Sequence, residues 1–161
     1  MSNVNPQKVA MHLSRHVESY RFWEVVTQWA RERMQHEHIV ARVLAQGVIR
    51  DGLRVQSVDP KWANVGSFEL RGAPLVGYVS REGDLPIFIR ATALKHLRSM
   101  VERAAVPEPE HLHDEFFTKQ DFYAWLIRNH ILPPSFWYEV PAELRANTSI
   151  EREPPSASAH F

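Results

Sequence analysis

The spacing of the apolar residues changes about a third of the way along the chain, and this change limits the folds that the chain can adopt. A helical pattern begins at about Gln7 and strengthens through residues 17–34, which carry one apolar stripe at three- and four-residue intervals: Phe22, Val25, Val26 and Trp29. Such spacing places the side chains on one buried face of a helix. A second helix is predicted at about 37–50. Its end is indicated by Gly52, which suits the left-handed conformation that follows a last helical turn. The two segments predict an N-terminal helical hairpin.

After the second helix the pattern becomes one of alternating or short apolar runs, which is typical of strands. The segments with this pattern are Leu53–Val58, Ser67–Leu70, Leu75–Val79 and Leu85–Ile89. Pro86 has no N–H to donate to a neighbouring strand, so the last strand lies at an edge or begins to pair only after this residue. The pattern predicts a small antiparallel meander of three or four strands with one face on the helices.

A third helix is predicted over residues 92–104, where Thr92 is the expected N-cap. Its apolar stripe would cover the meander. The chain is therefore predicted to have an α+β fold with an N-terminal helical hairpin, a meander, a covering helix, a short C-terminal helix and an aromatic strap.

The C-terminal part begins with an acidic, proline-punctuated linker at Pro107–Glu110. Thr118 is the expected cap of a short helix at about 119–129. The strap is the apolar segment Ile131–Tyr138, in which Pro133 and Pro134 favour an extended, polyproline-like path.

These segments suggest a division of the chain into three parts. Residues 1–106 are predicted to form an α+β core domain, and residues 107–138 are predicted to pack on it as linker, short helix and strap. Residues 139–161 are rich in Pro, Ser and Ala, a composition typical of a flexible tail.

The composition argues against several classes of function. The chain has no cysteine, which excludes a thiolate zinc site, a cysteine nucleophile and an iron–sulfur cluster. It also lacks the glycine-rich phosphate loops and the G-x-S-x-G elbow, so we expect no cofactor and favour a non-enzymatic role. No signal peptide and no run of ~20 apolar residues is visible, so we expect a cytoplasmic protein without a membrane partner.

The aromatic residues of the C-terminal part suggest a protein-interaction or regulatory function. Trp and Tyr are frequent interface anchors, and the candidate contacts are Trp125, Phe136, Trp137 and Tyr138. The expected partner is another protein or a second copy of the chain. A short helix followed by Pro and Phe-Trp also resembles the small accessory proteins of bacterial mobile elements. The alternative is that the strap only covers the chain's own core.

Nucleic-acid binding is a second interpretation. A helix–turn–helix with a β-wing would use basic residues of the second helix and the following strand, and the candidates are Arg42, Arg50, Arg54 and Lys61. The chain has 19 basic and 19 acidic residues, however, so it lacks the basic excess that phosphate binding favours.

A metal-dependent or ribonuclease-like hydrolase is a third interpretation. Two H-x-H pairs, His36 with His38 and His111 with His113, are weak candidates for metal ligands. The spacing of Arg31 and His36 resembles the R-x4-6-H motif of HEPN ribonucleases. That resemblance implies that the arginine stabilises the phosphate and the histidine serves the acid–base step, with two motifs paired across a dimer.

Overall fold

The chain folds as four α-helices and two small antiparallel sheets, counted over the residues that the structure describes. The structure is a computed structural model, and it describes residues 17–58, 69–70, 73–79 and 83–139. The elements in chain order are β1 (Ser19–Arg21), α1 (Phe22–Arg33), α2 (Glu37–Arg50), β2 (Glu69–Leu70), β3 (Ala73–Tyr78), β4 (Ile87–Arg90), α3 (Ala91–Glu102), β5 (Phe116–Thr118) and α4 (Lys119–Arg128). A single 3₁₀ turn, Pro109–His111, precedes β5. The predicted α+β fold is confirmed.

Helices α1 and α2 form the predicted hairpin, with their apolar stripes buried against each other and the rest of the core. Helix α1 ends at Arg33, and the next residue, Met34, caps it in the left-handed conformation with φ of 55°. The His36 side chain accepts a hydrogen bond from the His38 N–H and caps the start of α2. After α2, Gly52 has a φ of 76°, as the sequence predicts.

The first helix begins at Phe22, so the prediction of helix over residues 17–21 is wrong, and the part predicted from Gln7 to His16 lies outside the described residues. The residues before it form β1, which pairs with β5 and places Tyr20 opposite Phe117. Both aromatic side chains are buried. The Arg21 N–H donates to the Glu24 carboxylate over 2.9 Å, so the Glu24 side chain caps the start of α1.

The meander is the three-stranded sheet β2–β3–β4, and each neighbouring pair is antiparallel. Strand β4 begins at Ile87, immediately after Pro86, as expected of a residue that cannot donate. The sheet contacts the helices, and the Tyr78 hydroxyl donates to the Val48 carbonyl oxygen of α2 over 2.6 Å. The prediction that Thr92 caps the third helix is wrong, because β4 runs directly into α3 with Arg90 at the cap position.

The segment Leu53–Val58 does not begin the meander, which corrects the strand predicted there. It makes only an isolated bridge, in which Gln56 and Phe116 exchange N–H···O bonds of 3.1 and 2.8 Å. The next residue, Ser57, donates its N–H to the Phe88 carbonyl oxygen over 2.8 Å. The segment therefore connects β5 to β4 and links the two sheets.

Helix α4 and the strap complete the core. The Thr118 hydroxyl oxygen accepts the Asp121 N–H over 3.2 Å, so the predicted cap is confirmed. The strap turns at its middle, since the N–H groups of Trp137 and Tyr138 both donate to the Pro134 carbonyl oxygen. The expected extended path therefore ends at Pro134.

Residues 140–161, nearly all of the predicted flexible tail, lie outside the described residues. The division of the chain at residue 106 stays a prediction. Among the helices that the structure describes, none is long and apolar enough to cross a membrane.

Gly47 provides a test of the packing between α2 and α4. A Cβ atom at Gly47 would lie 2.8 Å from ring carbons of Trp125, a buried side chain. We expect Gly47→Ala to lower the free energy of unfolding by about 1–3 kcal/mol through overpacking, although alanine normally stabilises a helix relative to glycine by about 1 kcal/mol. Urea denaturation measures the change. The control is Gln46→Ala at the exposed neighbouring position, and equal effects at both positions would contradict the packing.

Candidate functional site

The most polar part of the interior is a cluster of four residues, which we call the charge cluster: Ser57, Arg90, Asp114 and Glu115. Arg90 ends β4, and Glu115 immediately precedes β5. The Arg90 guanidinium donates to both Glu115 carboxylate oxygens, from Nη2 over 2.6 Å and from Nε over 2.8 Å. The Glu115 residue is fully buried. Such a bidentate pair fixes the relative orientation of both side chains.

The other members of the charge cluster complete its hydrogen bonding. The Ser57 hydroxyl donates to Glu115 and accepts the Arg90 N–H over 2.8 Å. A carboxylate oxygen of Asp114 lies 3.7 Å from Arg90 Nε. The hydrogen bond with Glu115 raises the pKa of the Arg90 guanidinium, against the opposing effect of burial. The buried arginine is therefore charged and matched by carboxylates.

A surface groove of about 470 Å³ lies between α1 and the segment that the charge cluster holds in place. Its lining residues are Arg21, Trp23, Glu24, Thr27 and Gln28 on one side and Pro109, Leu112 and His113 on the other. The Trp23 side chain is partly buried and packs against the core. The groove thus combines an indole with side chains of both charges and with hydrogen-bonding groups.

His113 is held at the rim of the groove by two acceptors. Its Nε2 lies 3.1 Å from an Asp114 carboxylate oxygen, and its Nδ1 lies 2.6 Å from the Glu110 carbonyl oxygen. The two contacts, one at each ring nitrogen, fix the orientation of the imidazole. Asp114 also lies beside Arg90, so the charge cluster and the rim of the groove are connected.

The four aromatic residues predicted to bind a partner are buried in the chain's own core. Their fractional exposures are 2% for Trp125, 6% for Phe136, 0% for Trp137 and 7% for Tyr138. The Trp137 indole N–H donates to the Val17 carbonyl oxygen over 2.8 Å, which ties the strap to the start of the described chain. In this fold these residues present little surface for docking. Partner binding through them stays a prediction, and it would require the strap to leave the core.

Glu32 holds the strap in place and is absent from the candidates named by sequence. Its carboxylate accepts hydrogen bonds from the Ser135 N–H (2.9 Å), the Ser135 hydroxyl (2.6 Å) and the Phe136 N–H (3.0 Å). These partners lie more than 100 residues away in the chain. A glutamate on the polar face of an amphipathic helix carries no signal that distinguishes this role.

The arginines proposed for nucleic-acid binding are largely engaged within the chain. Arg42 donates to a backbone carbonyl oxygen over 3.4 Å. Arg54 donates to the Leu85 carbonyl oxygen over 2.7 Å and lies 3.6 and 3.7 Å from two carboxylates. Arg50 is exposed, and Lys61 lies outside the described residues. The structure does not assemble these residues into a phosphate-binding surface among the residues that it describes.

The two histidine pairs have local partners. His36 caps α2 through its contact with His38, and this contact occupies the residue compared with the HEPN motif. The His111 ring lies beside the His96 ring, at 4.9 Å between centroids, while His113 contacts Asp114. Within the described part of the chain, no group of three or more His, Asp or Glu residues is arranged to hold a metal ion. We assign none of these histidines as a metal ligand.

The sequence interpretation missed the groove because its residues look like the solvated face of α1. One signal was present. Trp23 lies outside the apolar stripe of α1, and a large aromatic residue on a polar face is unusual unless that face contacts something. No sequence signal identified Arg90 and Glu115, since the pairing of single charged residues 25 positions apart depends on the fold.

Removing one charge of the buried pair Arg90–Glu115 should destabilise the folded chain. We expect Glu115→Gln to lower the free energy of unfolding by about 3–5 kcal/mol, because it leaves the Arg90 charge without its bidentate partner. The measurement is urea denaturation at neutral pH. The control is Glu102→Gln, an exposed position at the end of α3, which should change the stability by less than about 0.5 kcal/mol. Similar losses for both variants would show that the pair is not structurally important.

Truncation of Trp137 distinguishes a core role of the strap from an exposed one. We expect Trp137→Ala to cost about 3–5 kcal/mol of stability, as for other fully buried aromatic residues. Tyr123→Ala on α4 is the control, because Tyr123 is 46% exposed and its loss should cost less than about 1 kcal/mol. Thermal or urea unfolding measures both. A Trp137→Ala protein as stable as the control would mean that the strap does not contribute to the core.

Comparison with protein-family models, with curated proteins and with solved structures finds no match to this chain. The assignment of the candidate site therefore depends on the geometry of the chain alone. It consists of a charge cluster in the interior and a groove with an indole and mixed charges at the surface.

Proposed function

We propose that this chain is a non-enzymatic binding protein, and that the groove between α1 and the Pro109–His113 segment takes an extended peptide segment of a partner protein. The single observation that supports this proposal best is the lining of the groove. It places the partly buried indole of Trp23 among the polar side chains of α1 and opposite His113.

The chemistry of the lining suits a peptide. An indole provides a large rigid contact for an apolar side chain, and aromatic residues are enriched among interface anchors. Arg21 and Glu24 provide opposite charges, while Thr27 and Gln28 provide groups that donate and accept hydrogen bonds. A peptide backbone needs both donors and acceptors, since each residue carries one of each. The volume of about 470 Å³ accommodates a few side chains of such a segment.

Both walls of the groove are held by contacts inside the chain. Helix α1 packs into the core and is tied to the strap through Glu32. The opposite wall follows from the charge cluster, since Arg90 Nη2 also donates to the His111 carbonyl oxygen over 3.1 Å. Walls that are ordered before binding reduce the entropy cost of association.

The charge distribution favours a peptide over nucleic acid. The chain carries 19 basic and 19 acidic residues, and the groove itself contains both signs of charge. Nucleic acid requires several free cations that neutralise phosphates. Two of the arginines considered for that role, Arg42 and Arg54, are engaged with partners in the chain.

The proposal is tested by selecting a displayed library of random peptides against the purified protein. Enriched peptides are then synthesised, and their affinities are measured by fluorescence polarisation. We expect Thr27→Arg to weaken binding at least about tenfold, because the larger side chain fills the groove without removing a core residue.

The matched control is Gln46→Arg, which introduces the same residue on the exposed surface of α2. It should leave peptide affinity unchanged. Unfolding curves of both variants verify that they are folded. If no peptide is enriched, or if enriched peptides bind Thr27→Arg and Gln46→Arg equally well, the groove is not a peptide site.

A further inference from the structure

The connection between α3 and the 3₁₀ turn, residues 103–108, is bonded to α3 at two places. The Arg103 and Ala105 N–H groups donate to the Ser99 carbonyl oxygen, and the Glu108 N–H donates to a histidine of α3. The His96 ring belongs to α3, and its Nε2 accepts the Glu108 N–H over 3.0 Å. The Glu108 carboxylate lies 2.8 Å from Nε2 of His111. The backbone and the side chain of Glu108 thus contact two neighbouring imidazoles.

Because the Glu108 N–H is the donor, its hydrogen bond to His96 requires one particular protonation state of the His96 ring. A backbone N–H is always a donor, so the Nε2 atom must present a lone pair. The ring is therefore neutral, with its hydrogen on Nδ1. A protonated ring has hydrogen on both nitrogens, and its Nε2 cannot accept the Glu108 N–H.

We propose that His96 acts as an acid-sensitive latch, in which protonation of the ring breaks its hydrogen bond with the Glu108 N–H and releases the backbone at Glu108 from α3. Histidine is suited to such a role because its charge changes near neutral pH. The latch is a property of the folded chain alone and does not depend on the function of the groove.

The surroundings of His96 support this behaviour. Burial is the largest effect and lowers the pKa of the His96 ring, and the neighbouring His111 lowers it further. Glu108 and Glu110 are the charged groups that act in the opposite direction. Because the pKa is lower in the folded chain than in the unfolded chain, the latch contributes its full stability above about pH 6.5 and loses it as the pH falls through the folded pKa.

The release is confined to the backbone around Glu108. Before it, Ala105 donates to the Ser99 carbonyl oxygen, and the Arg42 guanidinium of α2 donates to the Ala104 carbonyl oxygen. After it, Arg90 binds the His111 carbonyl oxygen and Glu115. Pro109 lines the groove, so acid should also weaken peptide binding, and this one consequence rests on the proposed function.

The latch is tested by NMR on the full chain without any peptide. The ¹⁵N shifts of the His96 ring should show a neutral ring with hydrogen on Nδ1 at about pH 7.5. The ring should titrate below the ordinary histidine value of about 6.5. As it does so, exchange of the Glu108 amide, relative to unstructured chain at the same pH, should become at least about tenfold faster.

A non-titrating substitution separates the latch from general acid effects. His96→Gln retains an acceptor oxygen without a titrating group, so the tenfold change at the Glu108 amide should disappear. The control is His38→Gln on α2, which should behave like the wild type. A His96 ring with hydrogen on Nε2, a pKa at or above the ordinary value, or an unchanged Glu108 amide during the titration would each overturn the latch. The ring measurements are made on the wild-type chain, so they test the latch even if His96→Gln does not fold.

Discussion

The bidentate contact between Arg90 and Glu115 is the interaction on which the arrangement of the molecule depends. It connects the end of β4 and the start of α3 to the start of β5, and Ser57 joins the same carboxylate from the segment that links the two sheets. Burying two charges is costly unless their geometry and hydrogen bonds compensate for the loss of water. Here both guanidinium contacts and the serine hydroxyl supply that compensation. The pair thus joins the end of β4 to the residue before β5 and connects the two sheets.

The surface of the protein follows from this interior arrangement. Arg90 holds the backbone at His111, and Asp114 beside it holds the ring of His113, so one wall of the groove is anchored from inside. The opposite wall is the polar face of α1. Burial of the aromatic strap in the core moves the candidate binding surface away from Trp137 and toward Trp23. The function that we propose, interaction with another protein, is the one expected from the sequence but uses a different set of contacts.

Local features were predicted well where the chain determines its own conformation over a few residues. Helix α2, the positive φ of Gly52, the Thr118 cap and the start of β4 after Pro86 all agree with the structure. The errors occurred where distant residues compete with local preference. Ser19–Arg21 continues a helical pattern, yet it is a strand because Tyr20 is buried opposite Phe117. The segment around Gln56 alternates like a strand, yet it forms only an isolated bridge with Phe116 of β5 and one hydrogen bond to Phe88 of β4.

The sequence by itself determined the α+β class, the order of most elements and some of the caps and turns, among them Thr118 and Gly52. These properties follow from side-chain periodicity and from residues with restricted backbone preferences, which act within a few positions. Only the tertiary structure decided that Arg90 meets Glu115, that Glu32 holds the strap, and that Trp23 lines a groove. A charge or an aromatic ring acts on whatever the fold brings within a few ångströms of it. Those neighbours lie tens to more than a hundred residues away, where local patterns carry no information about contact.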